Sequence, residues 1–133
     1  MQEALLPIVD NDSKIFWEGC RENRLMIPYC LSCERFFFYP RAICPHCFSE
    51  ELEWREASGN GTVYSYTVIH RTTDPYFSDK TPYIVALIDL EEGVRMMSNV
   101  ICDDLTSVYC GMDVKVLFEE VGSEWNFPKF IPN

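Results

Sequence analysis

Hydrophobic and polar positions change rhythm several times along the chain, and each change marks a different kind of element. Up to Asp12 there is no period: Pro7 limits any helix, and Asp10-Asn11-Asp12-Ser13 is rich in capping residues. From Ser13 onward, Lys14 to Glu22 sets Ile15, Phe16, Gly19 and Cys20 near one face at helical spacing, which predicts a docking helix. Between Leu25 and Trp54 the apolar pieces become short and are interrupted by two Cys-x-x-Cys turns, a module too small to hold a core without a staple. Asn60-Gly61 then opens a β-rich half. Its alternation points Val63, Ser65, Thr67 and Ile69 one way and Tyr64, Tyr66, Val68 and His70 the other. Thr72 to Thr81 reads as a long connection, and the unbroken apolar run Tyr83 to Asp89 as a strand buried on both faces. Glu91-Glu92-Gly93 is a hairpin turn into Val94–Ile101, and Asp113 to Glu120 is the last regular strand. Four or five strands in about 70 residues, with no room for crossover helices, favour a small antiparallel barrel of the oligonucleotide/oligosaccharide-binding (OB) type. The expected organisation is mainly β: a lead-in and helix over 1–23, a cysteine-bearing ribbon over 24–57, and a barrel with a C-terminal tail over 58–133.

The cysteines carry the most specific chemistry. Cys30-Leu31-Ser32-Cys33 is followed, after ten intervening residues, by Cys44-Pro45-His46-Cys47. Two intervening residues let each turn present both sulfurs to one ion while backbone N–H groups approach the thiolates, and two such knuckles complete a tetrahedral S4 site. Four protein ligands leave no open position for water, so the site predicted is structural zinc, not hydrolytic zinc. Iron fits the same geometry and keeps a rubredoxin-like electron carrier as an alternative. His46 is then a surface residue, because the coordination sphere is already full.

Charge narrows the partners. The chain has 11 basic and 21 acidic residues, a net charge of −10. Neither half hides a basic face: six basic residues stand against ten acidic ones up to Ser58, and five against eleven after it. A nucleic-acid-binding ribbon/OB protein, the second alternative, needs positive potential beside its aromatics, and only the aromatics are present. The start of the chain lacks the charged and long apolar regions of a signal peptide, and no run is long enough to span a bilayer. The expectation is a cytoplasmic protein that does not bind membrane, in which paired cysteines hold metal and not disulfides.

Several ordered motifs carry a family resemblance. Phe16-Trp17-Glu18-Gly19 leads into the first knuckle, and Phe37-Phe38-Tyr39-Pro40-Arg41 precedes the second. Gly61-Thr62-Val63-Tyr64-Ser65-Tyr66-Thr67-Val68, Pro82 to Leu87, Gly111-Met112-Asp113-Val114 and Phe127-Pro128-Lys129-Phe130-Ile131-Pro132 follow. From about Phe16 to Pro132 the chain closely resembles the acyl-CoA-associated zinc-ribbon/OB-fold family of bacteria and archaea. The resemblance implies an N-terminal helical segment, a rubredoxin-like zinc ribbon with Cys30, Cys33, Cys44 and Cys47 as zinc ligands, and a C-terminal OB-fold. It also implies a small, non-catalytic subunit of a hetero-oligomer with a thiolase-fold acyl-CoA enzyme, such as a thiolase, acyltransferase or aldolase. The partner holds the catalytic residues, and this chain helps to assemble, shape or cover the acyl-CoA site. Ile131 stands where the family often has arginine.

The residues themselves agree that catalysis lies elsewhere: no Gly-x-Ser-x-Gly, phosphate loop or His-Glu-x-x-His is present. Contact with the partner or the acyl-CoA is expected from the aromatic run Phe36, Phe37 and Phe38, from His70 and Arg71, and from the tail residues Trp125, Phe127 and Phe130. Arg71, Lys80 and Arg95 are the local cations able to help with an anion, although the acidity of the chain assigns the CoA phosphates to the partner. His70 follows a strand and could act as an acid or base, but with no partner histidine or carboxylate in view it is read as a hydrogen-bonding residue at the strand end. Of Cys20, Cys102 and Cys110, at most one is expected to be functional, free cysteine being commonly a small buried hydrophobe. The tail is expected either to pack into the partner or to fold back on the barrel.

Overall fold

A computed structural model of the chain describes residues 7, 9–74, 77–121 and 124–133. Residues 1–6 and 8 of the irregular lead-in, and 75–76 of the long connection, lie outside the described residues. The element order is α1 (Lys14–Arg21), β1 (Met26–Cys30), β2 (Arg35–Phe36), β3 (Leu52–Glu56), β4 (Asn60–Ile69), β5 (Tyr83–Leu90), β6 (Arg95–Val100), a 3-10 turn (Leu105–Ser107), β7 (Asp113–Val121) and β8 (Trp125–Pro132). Strands β2-β1-β3 form the ribbon sheet, and β4-β5-β6-β8-β7 close into a five-stranded OB barrel. No helix among the described residues is long and apolar enough to cross a membrane.

Helix α1 starts where the cap signal placed it. Ser13 donates to the Asp10 carboxylate from both its N–H (2.9 Å) and its hydroxyl (2.8 Å), and its hydroxyl receives the Asp10 N–H at 3.2 Å. Those bonds hold the Asp10 carboxyl below the usual carboxylate range, the Ser13 hydroxyl first. Phe16, Gly19 and Cys20 are buried as the spacing predicts, but Ile15 is 43% exposed. At roughly 3.6 residues per turn Ile15 lies about 100° around the helix from Phe16, off the face that Phe16, Gly19 and Cys20 bury. At Gly19 a Cβ would come within 2.7 Å of Met26 Cγ and 2.9 Å of the Arg24 carbonyl, so only glycine lets the helix sit this close to the start of β1. At the C-terminal end the Asn126 amide, on β8, donates to the Cys20 carbonyl at 3.1 Å and ties the helix to the barrel.

The barrel core is Val63, Ile84, Ala86, Ile88, Val114 and Phe130, none more than 1% exposed. It is continuous with Phe16, Cys20, Leu25 and Ile27, so helix, ribbon and barrel share one interior. The hairpin at Glu91-Glu92-Gly93 forms as expected: the Leu90 N–H donates to the Val94 carbonyl at 2.8 Å, and Gly93 takes φ +88°.

Three sequence expectations are corrected and one is refined. The alternation in β4 does not run through: the register to β5 shifts between Val63 and Ser65, so Val63 and Val68 both lie opposite interior residues, Ile88 and Ile84. One bulged residue reverses the phase beyond it. Strand β5 is buried on one face only, since Tyr83, Val85, Leu87 and Asp89 are half-buried while Ile84, Ala86, Ile88 and Leu90 are buried. Strand β7 is not the last: the C-terminal residues form β8, paired with β7 from Trp125↔Val121 to Pro132↔Val114, so of the two fates expected for the tail the structure shows folding back on the barrel. The expected antiparallel OB barrel is observed, with one refinement: β6 meets β8 in parallel, through the single pair Val100↔Phe130.

Candidate metal centre and junction groove

The first knuckle is an extension of the ribbon sheet, and the second lies in the connection between β2 and β3. Strand β1 delivers Cys30 directly, the turn before β2 delivers Cys33, and Leu31 N–H donates to the Glu51 carbonyl at 2.9 Å, tying the first knuckle to the approach of β3. In the second knuckle the Phe48 N–H donates to the Cys44 carbonyl at 2.9 Å. The four sulfurs lie within 4.8 Å of one another, with Cys30–Cys47 at 3.6 Å and Cys33–Cys44 at 3.7 Å. Four thiolates at Zn–S distances of about 2.3 Å would stand about 3.8 Å apart, so the set fits a tetrahedral metal ion. Backbone donors complete the fit: the His46 N–H approaches Cys44 Sγ at 3.3 Å and the Cys33 N–H approaches Cys30 Sγ at 3.5 Å. The Cys33 amide leads the interactions that draw the Cys30 thiol down to about 7, while loss of solvation, reinforced by the neighbouring sulfurs, pushes Cys33 up to about 12. Four thiolates packed this closely repel one another, and a cation is what makes the arrangement favourable. Cys30 and Cys44 are fully buried around Phe37, the only other buried member of this small cluster. The His46 side chain is exposed.

The remaining cysteines do not join this chemistry. Burial pushes the Cys20 thiol up to about 12, which makes it an inert core residue. Cys102 is also raised, by burial first and by Asp104 and Asp103 after it, and Cys110 is exposed.

The aromatic run divides three ways. Phe37 packs inside the metal cluster, and Phe36 lies against Tyr29 at 4.8 Å. Phe38 meets Phe16 at 5.5 Å, and Tyr39 is 52% exposed. Phe38 and Tyr39 form one wall of a groove of about 480 Å³ where helix, ribbon and barrel meet. Its other walls include Trp17 from α1, Val85 from β5, Met96 and Met97 from β6, and Phe127 from β8. Trp17 and Phe127 touch across it, their rings 5.4 Å apart. Lys129 borders the groove with only 7% of its surface exposed, and burial draws its pKa below the ordinary lysine value against the opposing pull of Glu119.

The other expected contact residues are scattered. His70 and Arg71 are exposed beyond the end of β4. Arg95 is engaged by Asp89 at 2.6 Å and lies over the Tyr64 ring at 3.5 Å, and Lys80 is near Asp79 at 3.8 Å. Trp125 is half-buried beside Arg21 at 5.2 Å, and Phe130 is wholly inside the barrel. Sequence reasoning did not single out Lys129, Val85, Met97 or Asn99. The available signal was parity: Lys129 shares the phase of Phe127 on a strand whose other members are mostly apolar.

Comparison with known proteins places both modules. Residues 17–53 match the family described as the ChsH2 rubredoxin-like zinc ribbon domain, and residues 54–119 match the ChsH2 C-terminal OB-fold domain. A DUF35 domain-containing scaffold protein of Methanothermobacter thermautotrophicus is 42% identical over 96 residues, 71% of each chain. A probable enoyl-CoA hydratase alpha subunit of Thermomonospora curvata is 35% identical over 126 residues, 95% of this chain but 39% of that protein, so this chain spans about two-fifths of that relative's length. Among solved structures, a chain of an Ltp2-ChsH2(DUF35) aldolase superposes with a TM-score of 0.87 at 35% identity, covering 96% of this chain and 98% of the other.

Proposed function

Because the chain belongs to the ChsH2/DUF35 family, we propose that it is a zinc-stabilised, non-catalytic scaffold subunit that docks on a thiolase-fold acyl-CoA enzyme in the cytoplasm. The observation that carries this reading is the tip of the ribbon. Leu31 and Ile43 are 47% and 43% exposed, and Phe48 is 77% exposed in the left-handed backbone region at φ +64°. Three large apolar side chains next to metal ligands, one of them on a backbone that non-glycine residues adopt at a cost, are an expensive way to face water and a suitable way to meet a protein. The relatives' names agree in kind: one is a scaffold protein, and one is solved as part of an aldolase with Ltp2.

Zinc is the proposed metal, held by Cys30, Cys33, Cys44 and Cys47 with no position left for a substrate. Catalysis then belongs to the partner. With a net charge of −10, this chain leaves the CoA phosphates to basic residues of the partner and offers apolar surface to the acyl or pantetheine arm at a shared interface. His70, Arg71, Phe38 and the rim at Phe127 and Trp125 are the proposed contacts, whereas Phe37 and Phe130 support the fold from inside. The test uses the tagged, zinc-loaded chain as bait in its own cell extract, with mass identification and assay of what it retains. A thiolase-fold acyl-CoA enzyme whose activity collapses without this chain is expected. Recovery of no acyl-CoA enzyme overturns the reading. Elemental analysis should give one zinc per chain in a colourless protein, and a red-brown iron protein would refute the metal assignment.

A further inference from the structure

The scaffold reading uses the junction groove only at its rim, Phe38 and Phe127, yet the groove also holds a buried charge that reading leaves without a role. It exists because β6 and β8 separate: their ladder is the single pair Val100↔Phe130, and nearer the groove Ser98 Oγ bridges to the Pro128 carbonyl at 2.7 Å in place of backbone pairing. Pro128 has no N–H to offer β6, so the gap stays open there. Lys129 lines this region, its ammonium beside Asn99 and near the Phe77 and Phe127 rings. The ammonium has three donors, and among the described residues its only hydrogen bond is to Asn99 Oδ1; Glu119 attracts it through space without an ion pair, and Lys80 opposes that pull. The Asn99 amide is fixed for that role because its Nδ2 donates to the Ile84 carbonyl at 2.8 Å. The rings of Phe77 and Phe127 lie 5.7 Å from Lys129 Nζ, which stabilises the cation without satisfying its N–H bonds.

A buried ammonium with spare donors is costly unless an anion completes its shell. The groove that reaches it, about 480 Å³, falls in the size range of small-molecule sites and is walled mainly by aromatic and sulfur-bearing side chains. Its rim carries the exposed acids Asp10 and Asp12, which repel an occupant bearing several negative charges. We propose that the groove binds a small aromatic monocarboxylate, its carboxylate on Lys129 Nζ and its ring among Trp17, Phe38 and Tyr83. All of these residues belong to this chain, so binding is measurable without the partner, whose docking would share Phe38.

The probes are 2-naphthylacetate and its neutral amide, titrated by calorimetry into the full-length zinc-loaded chain. The carboxylate should bind one per chain and at least about tenfold tighter than the amide. Lys129→Met should abolish that preference while apolar binding remains. Should Lys129→Met fail to fold, Val85→Trp, which fills the wall from the half-buried outer face of β5, should remove binding of both probes. Equal affinity for acid and amide, no binding of either at millimolar concentration, or binding unaffected by Val85→Trp would each overturn the proposal.

Discussion

The ribbon and the barrel are both small β structures, but they are held by different forces. The barrel surrounds a full apolar interior, from Val63 to Phe130, and its sheet closes on itself except where β6 and β8 part. The ribbon has a two-residue strand, two five-residue strands and a private buried cluster of only Cys30, Phe37 and Cys44. Burial at roughly 25 cal/mol per Å² cannot hold so few side chains against the entropy of ordering the module. A structural zinc site, typically worth on the order of 10–16 kcal/mol in small peptides, can. The difference means that one half of the molecule is conditional on metal and the other is not, although Leu25 and Ile27 root the ribbon in the common core.

The largest test of this contrast is metal removal. A strong chelator, or Cys44→Ser, should unfold the ribbon as seen by hydrogen exchange over 26–56, while amides of β4, β5 and β7 stay protected. Simultaneous loss of both regions would break the comparison. Next is Phe130→Ala in the fully buried heart of the barrel, expected to cost about 3–5 kcal/mol in chemical denaturation and to weaken barrel and ribbon together. A smaller effect, about 1–3 kcal/mol, is expected for Gly19→Ala, whose new methyl would strike the Arg24 carbonyl and Met26, with the loss concentrated in exchange protection around the helix. Asn126→Ala, which removes the bond to the Cys20 carbonyl, should cost about 1 kcal/mol by the same measurements. Smallest is Arg95→Ala: its pair with Asp89 is nearly half-exposed, so the change in thermal midpoint should correspond to less than about 1 kcal/mol.

The parts of this architecture that were legible in the sequence are those written in residue identity and spacing. The cysteine spacing announces the S4 cluster, Gly93 the hairpin, and Asp10 with Ser13 the helix start. The parts that were not legible depend on what lies opposite. Ser65 and Thr67 are small and polar enough to suit either face, so nothing local betrays the bulge that moves Val68 inward. Pro128 and Pro132 disguise β8, because proline in an apolar run argues against a paired strand. Here Pro128 sits where β8 has lost its β6 partner, and the same break that hid the strand opens the groove. Lys129 escaped for a related reason: a lysine beside a terminal proline-rich motif looks solvated until the strand is seen to turn it inward.

The claim that matters most for function is that the metal-held ribbon presents its exposed tip to a partner while the barrel provides the frame. Measuring the affinity of the co-purifying enzyme for the zinc-loaded chain and for its Phe48→Asp variant tests this directly. Phe48 is 77% exposed and contributes nothing to either core, so zinc content and thermal midpoint should be unchanged while affinity falls by at least about tenfold. Equal affinity, with the variant folded and zinc-loaded, would contradict the account.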